Sequence, residues 1–145
     1  MFLGQYQHSL DAKGRLIIPA RFRDSLEDGA FVTQGFDRCL MVMTVDYFEQ
    51  VYERINAMNV ADPATRALRR LLFANAYETN IDKVGRIVLP QNLREFAIID
   101  GDAIVAGQGE YFELWTPNLW NEQMVEIQNA EANAQRFAAL DLSKQ

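Results

Sequence analysis

Apolar residues in the first part of the chain come in short runs divided by turn formers, and only later at helical spacing. A strand-like stretch over 2–9 leads into the turn D-A-K-G, whose glycine suits positive φ. The run Arg15–Ile18 is short enough for a buried strand. Pro19 stops it and can open a short helix over Ala20–Leu26. Phe31–Gln34 and Cys39–Met43 flank G-F-D-R and predict a hairpin. Thr44 then reads as an N-cap, followed by Tyr47, Phe48, Val51, Tyr52 and Ile55 as one apolar helical stripe.

The same order begins again at residue 75. A strand over 75–81 meets the turn D-K-V-G, then the run Arg86–Leu89, Pro90 and a short helix over Gln91–Phe96. A hairpin of Ala103–Ala106 and Tyr111–Trp115 encloses G-Q-G-E. Thr116 and Pro117 open a helix whose apolar positions are Leu119, Trp120, Met124 and Ile127, expected to run to around Leu140. DAKGRLIIPARFR over 11–23 is thus rewritten as DKVGRIVLPQNLR over 82–94. Asp11, Gly14, Arg15, Pro19 and Arg23 recur as Asp82, Gly85, Arg86, Pro90 and Arg94, and apolar residues replace apolar ones between them. Two copies of roughly 70 residues are too few for a solenoid and predict a pseudo-two-fold α+β domain. The copies occupy residues 1–58 and 75–145, joined by a linker over 59–74. Asp62 and Pro63 open a helix in that linker, with Leu68, Leu71 and Leu72 on its apolar face. Arg66, Arg69 and Arg70 form a basic ridge on another face, read first as solvated and salt-bridged.

Composition narrows the function. The chain has 145 residues, 49% of them hydrophobic, which suits one folded domain with a respectable core. It shows no apolar run of the ~18 residues a membrane helix needs, and its start lacks a secretory pattern. Cys39 is the one cysteine, in an apolar run, so an intrachain disulfide or a cysteine-rich zinc site is excluded and a buried thiol is expected. The net charge of −6 is unevenly spread. Residues 1–74 hold nine Lys/Arg and nine Asp/Glu, whereas residues 75–145 hold five and eleven and supply the whole excess. Residues 13–23 carry Lys13, Arg15, Arg21 and Arg23 without an acid, and such a local patch can attract phosphate on an acidic protein.

The repeated phrase admits three kinds of chemistry. Two related aspartates could form a proton-sharing dyad, but Arg15 and Arg86 follow at i+4 and would hold both ionised. His8 has no metal-binding or nucleophilic neighbours in sequence, and no phosphate loop or zinc-protease helix is present, so no catalytic residue, metal or cofactor is assigned. A structural role suits Asp11, Gly14, Pro19, Asp82, Gly85 and Pro90, which shape the turns and end the strands. It does not account for Lys13 and Arg21, where the second copy has Val84 and Asn92. Nucleic-acid binding does, because arginine pairs with phosphate and with guanine edges, and β-ribbons enter grooves. Apart from Phe22, which the second copy replaces with the apolar Leu93, no aromatic residue interleaves with these cations, which favours duplex DNA over stacked single strands.

The phrase resembles the signature of the AbrB/SpoVT-like DNA-binding superfamily. Two tandem copies, with MFLGQYQHSLDAKGR before and YFELW after, resemble its MraZ family over essentially the whole chain. The resemblance implies an AbrB-like β-barrel of the swapped-hairpin or double-psi type, made from two pseudo-two-fold repeats with flanking helices. It implies homo-oligomeric rings of about eight to twelve subunits. It also implies binding of double-stranded DNA at short direct repeats in the promoter of a division and cell-wall gene cluster that includes its own gene, in the cytoplasm and nucleoid. DNA contact maps onto Lys13, Arg15, Arg21, Arg23 and Arg86. No small-molecule substrate and no membrane partner is implied. The alternative in another class is a non-catalytic oligomeric scaffold whose basic patches meet neighbouring subunits. An antitoxin-like role, also found in the superfamily, fits a tandem chain less well.

Overall fold

In the computed structural model, which describes residues 1–143, the short runs become eight strands and six helices. The first copy gives β1 (Gln5–Ser9), β2 (Arg15–Ile17), α1 (Ala20–Arg23, prolonged by a 3₁₀ turn Asp24–Leu26), β3 (Ala30–Gln34), β4 (Leu40–Thr44) and α2 (Val45–Asn56). After the linking helix α3 (Pro63–Phe73), the second gives β5 (Tyr77–Thr79), β6 (Arg86–Val88), α4 (Gln91–Ala97), β7 (Asp102–Gly107), β8 (Tyr111–Trp115) and α5 (Pro117–Ile127). A last helix, α6 (Ala130–Arg136), follows. The Thr44 hydroxyl caps α2 by accepting from the Tyr47 N–H at 3.0 Å, and Asp62 caps α3 through the Ala64 N–H at 2.9 Å. Thr116 stands at the N-cap of α5 without a side-chain cap.

The two copies exchange strands. β1 of the first pairs antiparallel with β7 of the second, from Gln5 opposite Ala106 to Ser9 opposite Asp102. β5 of the second pairs with β3 of the first. β4 and β8 meet in the middle, Leu40 opposite Leu114, giving a six-stranded sheet in the order β1-β7-β8-β4-β3-β5. Among the described residues β2 and β6 form a separate two-stranded ribbon, Leu16 opposite Ile87, with one isolated bridge from Leu16 to Leu10. Among the described residues the ladders therefore form an open sheet and a separate ribbon rather than a closed ring of strands. The reason is local. Each ribbon strand is three residues long, bounded by a glycine turn and by a proline without an N–H to donate, so neither extends into the larger sheet.

The ribbon nevertheless closes the core. Leu16, Ile18, Ile87 and Leu89 pack with Phe22, Leu26, Leu93 and Ala97 of the α1 and α4 regions against Val32, Val42, Val105, Phe112 and Leu114 of the sheet. Phe2 meets Phe22 and Phe112 edge-on, each with centroids 5.0 Å apart, so the segment before β1, the helix after β2 and strand β8 share one aromatic cluster. Alternation along the strands sends the other set of side chains to the opposite face. There Met41 and Met43 pack with Ile55 of α2 and Leu72 of α3, while Cys39, Ile104, Ala106 and Trp115 lie under Leu119 and Trp120 of α5. Cys39 is fully buried. No helix among the described residues is long and apolar enough to cross a membrane.

Two helical expectations change. The helix after Pro117 breaks at Gln128 and restarts when the Asn129 side chain accepts from the Ala132 N–H at 3.0 Å, and α6 ends at Arg136, short of Leu140. The break has a cause: asparagine favours a cap over a helix interior. The arginine ridge on α3 is only partly a solvated face. Arg66 donates to the Val60 and Ala61 carbonyls at 3.0 Å each, and Arg69 donates to Asn56 and covers the Phe73 ring. Both pin the α2–α3 connection, which leaves Arg70 exposed. Among the described residues none of the three forms a salt bridge.

Candidate nucleic-acid interface

Each D-x-x-G-R turn is built by its aspartate. Asp11 Oδ1 accepts the backbone N–H groups of Lys13 (3.0 Å) and Arg15 (2.9 Å), and its Oδ2 accepts Arg15 Nε at 2.7 Å. Asp82 repeats the pattern with Val84 N, Arg86 N and Arg86 Nε at 2.9, 2.9 and 2.8 Å. The fourth residue of each turn must then reverse the chain, and Gly14 and Gly85 do so at φ +79° and +90°. The same hydrogen bonds, led by the backbone N–H of Arg15 or Arg86 and helped by its guanidinium, hold both carboxyls below their ordinary range. Two ionised aspartates, each paired with its own arginine, do not share a proton. Pro19 and Pro90 sit one residue earlier than the first helical position. Extended there, with ψ of 137° and 151°, they accept the Phe22 and Leu93 N–H groups and start α1 and α4.

On the ribbon, Leu16 and Ile87 point into the core, while Arg15, Ile17, Arg86 and Val88 share the outer face. The antiparallel register sets Arg15 opposite Val88 and Ile17 opposite Arg86, so the arginines lie diagonally about a local dyad. The dyad is imperfect. Arg86 Nη1 also stands 3.7 Å from Asp11 Oδ2, whereas among the described residues Arg15 has no second carboxylate within 4.0 Å. Arg15 is therefore the less neutralised of the pair. Lys13 and Lys83 are exposed on the two turns. With Arg15 and Arg86 they set four cations against Asp11 and Asp82, a surplus of two positive charges on a protein of net −6.

The candidates adjacent in sequence are not one patch in space. Because β2 and β6 are antiparallel, the chain leaving Ile17 arrives beside the second turn. Ile18 N–H donates to the Gly85 carbonyl and Leu89 N–H to the Gly14 carbonyl, both at 2.8 Å. Lys13 and Arg15 thus belong to one end of the ribbon, whereas Arg21 and Arg23 belong to the other. Arg23 is used internally: its Nε donates to the Ile18 carbonyl at 2.9 Å and its guanidinium lies over Gly85. Arg94 mirrors it, bonding the Leu89 carbonyl at 2.9 Å while covering Gly14. Sequence reasoning did not assign Arg94 or Lys83. The Arg23/Arg94 repeat was the available signal for a shared packing role, and the lysine beside Asp82 was the signal for a second cationic turn.

Among the described residues no group of three or more His, Cys, Asp or Glu side chains is placed to hold a metal ion.

The sequence model of the family described as "MraZ protein, putative antitoxin-like" matches twice, over residues 1–71 and 72–142. A protein of Roseiflexus castenholzii named "Transcriptional regulator MraZ" is 44% identical over 141 residues, covering 97% of this chain and 99% of the relative. One of the same name from Thermomicrobium roseum is 42% identical over 142 residues, with the same coverage of each. Another from Herpetosiphon aurantiacus is 46% identical over 120 residues, covering 83% of this chain and 84% of its own.

Proposed function

The chain belongs to the MraZ family, and from that premise we propose that it is a transcriptional regulator that binds duplex DNA through the outer face of the β2–β6 ribbon. The observation that carries this reading is the pair of diagonal arginines, Arg15 and Arg86. Each is held by Nε to its own aspartate, so its guanidinium is preoriented on a strand rather than free on a loop. A two-stranded ribbon fits the ~12 Å major groove, and a positioned guanidinium can pair with guanine there or with phosphate beside it. Lys13 and Arg21 add exposed charge at opposite ends of the ribbon. Arg23 supports the second turn rather than the DNA.

One chain offers few phosphate contacts and so a modest, salt-sensitive affinity. A homo-oligomeric ring meeting short direct repeats would raise that affinity through effective concentration, without new contacts. The promoter of a division and cell-wall gene cluster that includes the protein's own gene is the proposed site, in the nucleoid. The scaffold alternative draws less support, since Arg66 and Arg69 are occupied within the chain.

Fluorescence anisotropy against the upstream DNA and a scrambled control, across a salt series, tests the reading. Selective, salt-steep binding lost in Arg15→Ala, at unchanged assembly mass, is the expected result. Equal weak binding of both DNAs by both proteins would refute it. A monomeric variant of native fold that binds the repeats undiminished would remove the ring from the mechanism.

A further inference from the structure

The outer face of the ribbon is not uniformly cationic. Arg15, Ile17, Arg86 and Val88 alternate on it as a checkerboard, arginines on one diagonal and aliphatic residues on the other. The aliphatic diagonal is uneven. Val88 is 37% exposed and belongs to none of the core clusters, whereas Ile17 is less exposed. One exposed valine is ordinary on a protein surface, so its placement decides what it does. The Ile18 N–H bonds the Gly85 carbonyl and the Leu89 N–H bonds the Gly14 carbonyl, which makes Ile18–Gly85 and Gly14–Leu89 hydrogen-bonded pairs. Alternation along the ladder then makes Arg15 and Val88 a non-hydrogen-bonded pair. In such pairs facing side chains approach most closely, with Cβ atoms about 5 Å apart. The Val88 N–H accordingly turns away from β2 and donates to Thr79 Oγ1 at 3.3 Å. β-Branching leaves the valine methyl groups few rotamers, so they stand beside Arg15 with little freedom to lose.

We propose that Val88 reads a thymine: in the major groove its methyl groups meet the C5-methyl of a thymine close to the base pair that Arg15 faces. This rests on the DNA-binding reading above and adds the sequence information that charge alone does not supply. Phosphate contacts position a protein without reporting sequence, and a guanidinium reports guanine. The apolar group that a base pair shows in the major groove is the thymine methyl, and an aliphatic side chain is its partner. Successive base pairs rise about 3.4 Å, so a Cβ separation of about 5 Å places Val88 one or two steps from the base pair opposite Arg15. Among the described residues Arg15 has one carboxylate partner and Arg86 has two, which favours the Arg15–Val88 pair over Ile17–Arg86 as the one in contact. The competing role for Val88 is to shield the aliphatic stem of Arg15, and a shield would affect every DNA alike.

The test uses the full-length protein and its own upstream DNA in the same anisotropy assay, with each thymine of the bound segment replaced in turn by deoxyuridine. That exchange deletes one methyl group and leaves the hydrogen-bonding edge of the base unchanged. The expected result is a loss of about three- to fivefold in wild-type affinity at one thymine or more, as a methyl group returned to water implies. Val88→Ala should bind the unmodified DNA more weakly by a similar factor and show no further loss at that position. Its salt slope should stay that of wild type, since no phosphate contact is removed. Val125→Ala, an equal truncation of an exposed valine on α5, across the sheet from the ribbon, should keep the full deoxyuridine loss. Val88→Gln repeats the measurement if the alanine variant misfolds. Deoxyuridine without effect on wild type at every thymine, or losses as large in Val88→Ala and Val88→Gln as in wild type, would overturn the thymine contact while leaving DNA binding intact. A wild type that binds its upstream DNA no better than a scrambled control would overturn both readings.

Discussion

Replacing Gly85 by alanine probes the crossed packing directly. Gly85 has φ +90°, and a Cβ there would collide with the Arg23 guanidinium. Alanine in the left-handed region costs about 1–2 kcal/mol, offset by about 0.4–1 kcal/mol because the unfolded chain loses freedom. That conformational part is shared with Gly101→Ala, at φ +88° with nothing within 4 Å of the added Cβ. Gly85→Ala must in addition push Arg23 away from the Ile18 carbonyl, to which its Nε donates at 2.9 Å. A hydrogen bond from a charged donor contributes about 1.5–3 kcal/mol, reduced here to about 1–2 because Arg23 is half-exposed. The expected loss is therefore about 0.5–1.5 kcal/mol for Gly101→Ala and about 1.5–3.5 kcal/mol for Gly85→Ala. For a chain of this size these are falls of roughly 2–5 °C and 5–12 °C in melting temperature. Thermal unfolding by far-ultraviolet circular dichroism, at one fixed protein concentration, measures both. In a Gly85→Ala background, Arg23→Ala should cost about 1 kcal/mol less than it does alone, because the clash has already displaced it. Equal losses in the two glycine variants, with additive Arg23→Ala, would show that Arg23 does not brace the second turn.

Three further outcomes follow from named contacts. Burial raises the Glu113 carboxyl although Trp115 Nε1 donates to it at 3.0 Å, so the folded state holds that proton more tightly than the unfolded chain does. Glu113→Gln should therefore melt higher than wild type at pH 7, with the gap closing as the pH falls below the ordinary glutamate range; no gap at pH 7 would refute it. Asp11 and Asp82 are shifted the other way, so their contribution is complete above the ordinary aspartate pKa and disappears as the pH falls through their lowered folded values. Acid unfolding between pH 5 and pH 2 should be shallower in Asp11→Asn/Asp82→Asn than in wild type, by about two proton-linked groups, and an unchanged steepness would assign the acid sensitivity elsewhere. Thr33 is buried and donates to the Leu72 carbonyl at 2.6 Å, tying β3 to the end of α3. Thr33→Val leaves that carbonyl unpaired and should lose about 1–3 kcal/mol in urea unfolding, whereas a loss near zero would mean water replaces the hydroxyl.

What the sequence disclosed was what neighbours along the chain determine. Apolar runs on either side of turn formers marked both hairpins, Thr44 and Asp62 marked helix starts, and the aspartate–arginine pairing across each turn follows from its i+4 spacing. What it concealed depends on the strand exchange. Lys13 and Arg21 are eight residues apart in sequence, yet β2 carries the chain to the opposite end of the ribbon between them. Arg23 looked like a fourth DNA cation because nothing in D-A-K-G-R-L-I-I-P-A-R-F-R says that its guanidinium meets a glycine 62 positions later. The α3 ridge looked solvated because Arg66 is held by backbone carbonyls, which leave no mark in the side-chain pattern.

The pairing of β1 with β7 also governs what happens while the protein is being made. Gln7 and Asp102 are 95 residues apart, so the first strand to leave the ribosome has no partner until the seventh has been synthesised. At 5–20 residues per second that wait lasts roughly 5–20 s. During it the first turn also lacks the Leu89 N–H and the Arg94 that complete it. A stalled or truncated nascent chain therefore carries Lys13 and Arg15 on an unfinished support. Only translation through both copies completes the ribbon and the face that carries Arg15 and Arg86.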